Sequence, residues 1–167
     1  VTWNEVWEPV LYIGVDPGKS GAICAVRMSD YPSGESPRRP EVISKTNESY
    51  GTIWDRLAEA TNGIQCRACI EMVGSMPGQG VSSTFKFGES YGMLQGLLTA
   101  ARIPYELVRP AVWCKFMGLK KLKEETNTDW KNRHKVLALS LFPSEDITHA
   151  TADAFLLAEY CRRQTIR

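Results

Sequence analysis

The sequence predicts an α/β domain, a mixed five-stranded sheet flanked by helices. Three observations carry that reading. Apolar runs at about 10–16, 21–28 and 67–73 are short and nearly uninterrupted, as in strands covered on both faces. Stretches with helical apolar spacing lie between and after them. The order strand-strand-strand-helix-strand-helix-strand-helix suits helices packed on the faces of one sheet.

The strands come first. Strand one spans about 10–16 and strand two about 21–28, separated by Pro17-Gly18 and Gly21. Asp30 to Pro40, with three prolines and a glycine, reads as an exposed hairpin loop before a third strand at about 41–46. Asn47 and Ser49 offer N-caps. Ile53, Trp54, Leu57 and Ala60 then recur at helical spacing until Asn62-Gly63 ends the helix.

A fourth strand at about 67–73 holds Glu71 inside an apolar run. The plain reading puts that carboxylate on an edge strand facing water; the isolated Asp16 in a similar setting argues against it. Gly74 to Ser83 is a Gly/Ser loop. A long helix at about 83–102 carries Gly88, Gly92 and Gly96 on one stripe, each costing about 1 kcal/mol relative to Ala. Close approach of another backbone would compensate: the sheet in the simplest case, otherwise a second subunit or a nucleic-acid strand. A last strand occupies about 104–108. Asp129 is positioned to cap a helix of about 130–142, which Pro143 stops, and a final helix covers about 148–163.

The 167 residues suit a single domain over 1–167, with a core of about 10–163 and an arm at 1–9 packed by Trp3 and Trp7. No apolar run approaches the roughly 20 residues that cross a membrane, so no membrane partner is expected. Five cysteines at irregular spacing argue against a disulfide framework and for an intracellular, reducing compartment. Cys66-Arg67-Ala68-Cys69 lies at a strand, where positions three apart face opposite sides, so it reads as ordinary thiols.

Net charge is only +1, so any nucleic-acid surface must come from local segregation. Residues 109–135 provide it: Arg109, Lys115, Lys120, Lys121, Lys123, Lys131, Arg133 and Lys135 stand against three acids, interleaved with Trp113, Phe116 and Trp130. A solvated face is the commoner meaning of such a run; the aromatics also suit a nucleic-acid groove.

Asp16, Glu71 and Asp153 stand out because their neighbours are apolar or structural. With strands one and four adjacent, Asp16 and Glu71 lie side by side, and a helix over that end adds Asp153, with His149 one turn before it. Clustered carboxylates raise each other's pKa and stay ionised together only beside cations. Oxygen donors favour Mg²⁺ or Mn²⁺. Two such ions about 3.5–4 Å apart hold the attacking and leaving oxygens of a phosphodiester displacement. His149 would be a ligand or a proton carrier, or simply a capping histidine. A Walker loop over Gly14 to Ser20 is excluded, because Gly14 and Gly18 enclose three residues, not four, and a strand follows.

These residues carry a resemblance. Gly14-Val15-Asp16-Pro17-Gly18 with Gly21 resembles the opening motif of the RuvC-type Holliday junction resolvases. Ile70-Glu71 is similar to their second motif, Ser82 to Gly96 to their long helix, and Val108-Arg109-Pro110 through Trp113 and Met117-Gly118 to the segment before the acidic final helix. The likeness covers about 10–163 and is nearest to the phage and organellar branch, implying an infected bacterial cytoplasm or an organelle nucleoid.

The resemblance implies a ribonuclease H-like fold, a homodimer, and symmetric nicking of four-way junction DNA with two Mg²⁺ per site, Mn²⁺ being an alternative. Asp16, Glu71 and Asp153 match the metal ligands. A basic residue near the scissile phosphate falls among Lys131, Arg133 and Lys135. The DNA-contacting set adds Lys19, Ser20, Gln79, Phe85 and Lys86 to the basic run; Phe85, Phe87 and 74–80 are candidates to wedge the junction centre. One position departs: where the family has a fourth acid, this chain has Ala150. It reads as a substituted acidic ligand, which gives weight to an inactivated variant or a non-catalytic branched-DNA binding protein. A kinase-like phosphotransferase, suggested by Asp16-Pro17-Gly18, needs two such domains.

Overall fold

A computed structural model describes residues 10–28, 38–74, 78 and 80–165. Its elements are β1 (Val10–Val15), β2 (Ala22–Met28), β3 (Arg38–Lys45), α1 (Tyr50–Thr61), β4 (Gln65–Glu71), α2 (Val81–Ala100), β5 (Tyr105–Val108), α3 (Pro110–Phe116), α4 (Asn127–Leu141) and α5 (His149–Thr165). The sheet order is β3-β2-β1-β4-β5. The hairpin strands β1, β2 and β3 pair antiparallel, whereas the helical crossovers make β1–β4 and β4–β5 parallel.

Alternation along the central strands divides the core in two. Leu11, Ile13, Val15, Ala68 and Ile70 face one side and meet Ile53 and Leu57 of α1 and Leu94 and Leu98 of α2. Tyr12, Cys24, Val26 and Cys69 face the other and meet Trp113, Phe155 and Leu157. On that second side α5 crosses β1, β2 and β4 and packs on α4.

The crossing is unusually close at one point. A Cβ built on Gly14 would lie 2.0 Å from the Ala154 carbonyl oxygen and 2.4 Å from the Ala158 nitrogen. The backbone of α5 therefore rests directly on β1, and only glycine leaves it room. Ala154 and Ala158 keep the helix side of the contact equally thin.

Several expectations are corrected. β4 lies between β1 and β5, which rules out the plain edge-strand alternative for Glu71 and makes strands one and four neighbours as the pairing of Asp16 with Glu71 requires. α4 begins earlier than predicted: Thr126, not Asp129, is its N-cap, accepting from the Asp129 N–H at 3.1 Å while its hydroxyl donates to Asp129 Oδ2 at 2.6 Å. The short helix α3 was not predicted; Pro110 starts it, and seven residues are too few for a periodic signal. β3 starts at Arg38, inside the stretch read as loop. Among the described residues nothing lies within 4 Å of a Cβ built at Gly88, Gly92 or Gly96, so the sheet does not compensate the stripe on α2. Ser49 does cap α1, accepting from the Thr52 N–H at 3.1 Å. The arm at 1–9 and most of the loop at 30–40 lie outside the described residues. Among the described residues no helix is long and apolar enough to cross a membrane.

The two kinds of glycine predict opposite outcomes in urea unfolding. Gly14→Ala forces a methyl into main-chain atoms and is expected to cost about 3 kcal/mol or more. Gly92→Ala adds a methyl in open space to a helix interior and is expected to add about 1 kcal/mol. Equal effects at both positions would contradict this account of the α5 crossing.

Candidate active site

Asp16 directly follows β1, and Glu71 is the last residue of β4, paired with Val108 of β5. Val15 is in parallel register with Ile70, the last pair of that ladder, so residues 16 and 71 come next on the two neighbouring strands. Val15 and Ile70 point into the α1/α2 side, and alternation directs residues 16 and 71 towards α5. The turn after β1 then holds Asp16 with main-chain atoms. The Gly18 N–H donates to Asp16 Oδ1 at 2.9 Å, and the Asp16 N–H donates to the Ala22 carbonyl at 3.0 Å. A Cβ at Gly21 would lie 2.1 Å from the Asp16 carbonyl oxygen, so the turn is as tight as glycine permits. The Thr46 hydroxyl, just past β3, donates to the Gly18 carbonyl at 2.6 Å.

Two helices hold the other acids. Trp113 of α3 is 1% exposed and donates its indole N–H to Glu71 Oε2 at 2.9 Å. Asp153 precedes Ala154, the residue seated on Gly14, so the close crossing also fixes Asp153. Its Oδ1 lies 2.5 Å from Nδ1 of His134 on α4. His134 is 4% exposed and packs edge-on against Trp113 and Trp130, with ring centroids 5.4 and 4.3 Å away. The Nε2 of His134 is buried with no hydrogen-bond partner among the described residues. A cavity of about 770 Å³ is lined by Glu71, Asp153, His134, Trp113 and Trp130, and by Lys115, Lys120 and Lys121.

The charges act on one another. Burial pushes the Glu71 carboxyl up to about 7; the Trp113 hydrogen bond opposes this, the charges of Asp16 and Asp153 add to it, and Lys131 draws it back. Asp16 is also raised, by burial first, with the Gly18 N–H opposing, Asp153 adding and Lys131 opposing. A divalent cation would relieve this repulsion, and an all-carboxylate donor set suits Mg²⁺ or Mn²⁺. In charge and donor chemistry the three acids fit such an ion. Among the described residues, no three His, Cys, Asp or Glu side chains converge closely enough to hold one as they stand.

No protein-family model matches the sequence, and no curated protein matches it. The fold does have solved counterparts. T. thermophilus RuvC in complex with a Holliday junction substrate aligns with a TM-score of 0.59 at 15% identity, covering 93% of this chain and 96% of that one. A Thermus thermophilus RuvC structure gives 0.58 at 16% identity, covering 94% and 96%. The fold is RuvC-like.

Within this RuvC-like frame the sequence-predicted residues separate into groups. Asp16, Glu71, Asp153 and Lys131 come together as electrostatic neighbours. His149 does not join them through a hydrogen bond to Asp153: it is exposed, and its Nε2 lies 2.8 Å from Asn132 Oδ1. His134 occupies the place expected of it. Sequence reasoning missed His134, although it is one of only two histidines and stands four residues after Trp130. Ala150 is the second residue of α5, three before Asp153 and partly exposed.

Of the basic set, Lys115, Lys120 and Lys121 line the cavity, and the rest are spread over other elements. Arg133 is bonded to Glu125 at 3.0 and 3.1 Å and to the Lys120 carbonyl at 3.0 Å, with its guanidinium 5.6 Å from the Trp130 ring centre. Lys121 donates to Asn127 Oδ1 at 2.6 Å. Lys135 stands on α4 one turn beyond Lys131. Arg109 is the N-cap of α3, and Lys123 is exposed in the segment before α4. Lys19 and Ser20 are exposed in the turn beside Asp16. Phe85 is 74% exposed on α2 beside exposed Lys86, whereas Phe87 stacks on Tyr91. Gln79 lies outside the described residues.

A carboxyl that binds its proton more tightly when folded stabilises the native state below its ordinary pKa of 4.5, and the gain is lost as pH rises through about 7. In chelator, the urea midpoint is therefore expected to fall between about pH 5 and about pH 8. Glu71→Gln is expected to flatten that slope; identical slopes in the two proteins would mean that Glu71 is not the group responsible.

Proposed function

We propose that the chain is a structure-selective endonuclease that nicks four-way DNA junctions by Mg²⁺- or Mn²⁺-dependent phosphodiester hydrolysis, acting as a homodimer. One observation carries the reading: two part-buried carboxylates stand at the ends of neighbouring parallel strands of a RuvC-like sheet, with a third acid and a lysine in electrostatic reach. The neighbour bound to a Holliday junction substrate supports the choice of DNA substrate. A two-fold protein also suits like cuts on a two-fold junction.

Asp16, Glu71 and Asp153 would hold the ions. When bound, these would supply an activated water and charge stabilisation at the leaving 3′ oxygen. The chain's own work is to position. Gly18 orients Asp16, Trp113 orients Glu71, and His134 orients Asp153. Lys131, exposed beside the acids, would meet the charge of the scissile phosphate, while the other lysines hold the backbone and leave selectivity to junction shape.

A second reading is a branched-DNA binding protein without catalysis. Ala150, and acids that do not converge on one point, favour it. A labelled four-way junction beside a linear duplex, with and without Mg²⁺ or Mn²⁺, separates the two. Metal-dependent nicks confined to the junction support the nuclease; binding in EDTA with no nicking in either metal supports the alternative.

Asp16→Asn and Glu71→Gln are each expected to lower nicking by more than about 100-fold, with junction affinity kept or improved in a gel-shift titration. Loss of folding in both would make the acids structural. Lys131→Ala is expected to weaken binding and to reduce the slope of log affinity against log salt by about 1; an unchanged slope would remove Lys131 from the DNA surface.

A further inference from the structure

Cys69 and Cys161 are two thiols that the chemistry above does not use. All five cysteines are free. Cys24 donates to the Thr151 carbonyl at 3.8 Å and Cys66 to the Ile64 carbonyl at 3.2 Å, whereas the Cys69 thiol interacts with that of Cys161. The close crossing of α5 brings this pair together. Cys69 stands beside Gly14 on the neighbouring strand, and Cys161 lies one helical turn beyond Ala158, whose nitrogen crowds Gly14. Both thiols line a second cavity, of about 230 Å³, on the β4–α5 side away from the acids. Exposed Arg67, Glu106 and Gln164 also line it, so the space opens on solvent and admits a small oxidant.

We propose that Cys69 and Cys161 are a site of oxidative modification, which hydrogen peroxide converts to a reversible disulfide that ties β4 to α5 and weakens cation binding by the three acids. The effect on cations rests on the nuclease reading above; the disulfide does not. Cys161, as thiolate, attacks one peroxide oxygen. A sulfenic acid forms, and the displaced hydroxide takes up the thiol's proton as water. The Cys69 sulfur then attacks the sulfenic sulfur, the S–S bond forms, and its proton leaves with the second hydroxide as water. Two thiols and one peroxide thus give one disulfide and two waters, with two electrons passing from sulfur to oxygen. Burial disfavours the thiolate, so the reaction is slow and answers sustained oxidant.

Closing the sulfurs to bonding distance draws the end of α5 towards β4. The helix main chain already meets Gly14, so α5 cannot sink and tilts about that contact. Asp153 lies on the far side of the contact from Cys161 and is carried away from Asp16 and Glu71. A ligand set of this kind tolerates about 0.5 Å of misplacement.

The test treats the folded whole chain with hydrogen peroxide and then counts thiols in denaturant. Two of the five are expected to be lost, with one Cys69–Cys161 crosslinked peptide in the mass spectrum and full recovery in dithiothreitol. Cys161→Ser and Cys69→Ser are each expected to form no disulfide. Mn²⁺ affinity, read by electron paramagnetic resonance, is expected to fall at least tenfold on oxidation and to return on reduction, and to stay unchanged by peroxide in both variants. No disulfide, or one between other cysteines, would overturn the site. A Cys69–Cys161 disulfide with unchanged Mn²⁺ affinity would overturn the coupling to the acids. Absence of Mn²⁺ binding in both states would remove the metal site and the nuclease reading, and leave the thiol site standing on its crosslink.

Discussion

The contact between Gly14 and the backbone of α5 is the constraint on which the rest depends. A strand and a helix ordinarily meet through side chains, which keep their axes about 10 Å apart. Here the missing Cβ lets Ala154 and Ala158 sit directly on the central strand. The acid that ends β1 lies two residues from this contact, and the acid of α5 lies one residue from it. Packing and chemistry are thus specified by the same few atoms: a helix seated further out would take Asp153 away from Asp16.

Around that contact the molecule handles a cost. Burial of Asp16 and Glu71 disfavours their charged forms, and each acid's charge disfavours the other's. The polypeptide offsets this only in part, through the Gly18 N–H, the Trp113 N–H and the nearby Lys131. Trp113, Trp130 and His134 form a packed frame in which polar atoms aim at carboxylate oxygens while ring edges fill the core. The frame fixes orientation without neutralising the charge. The remaining imbalance is what a bound cation would relieve.

Much of this was legible in the sequence, for local reasons. The run from Val10 to Val15 reads as a covered strand because both faces are apolar, and a lone acid ending it stands out. Glu71 stands out in the same way. The mixed sheet flanked by helices follows from that order of runs. What was not legible depends on partners distant along the chain. His149 shares a helical face with Asp153, so its spacing drew attention, but the imidazole that reaches Asp153 comes from another helix at His134. Gly14 and Gly92 look alike as letters. One is forced by a helix against it, and the other meets nothing within 4 Å among the described residues. α3 was missed because seven residues starting at a proline complete too few turns to display a period. The α4 cap was placed three residues late because Thr126 and Asp129 each bond to the other, and either could have led.

The turn that holds Asp16 separates two tasks. Its grip uses the Gly18 amide, the Ala22 carbonyl and the space left by Gly21, while Lys19 and Ser20 project outward. Lineages could therefore rewrite the outward pair freely without displacing the carboxylate. An architecture anchored in this manner keeps its reactive end fixed while its outer face stays open to change.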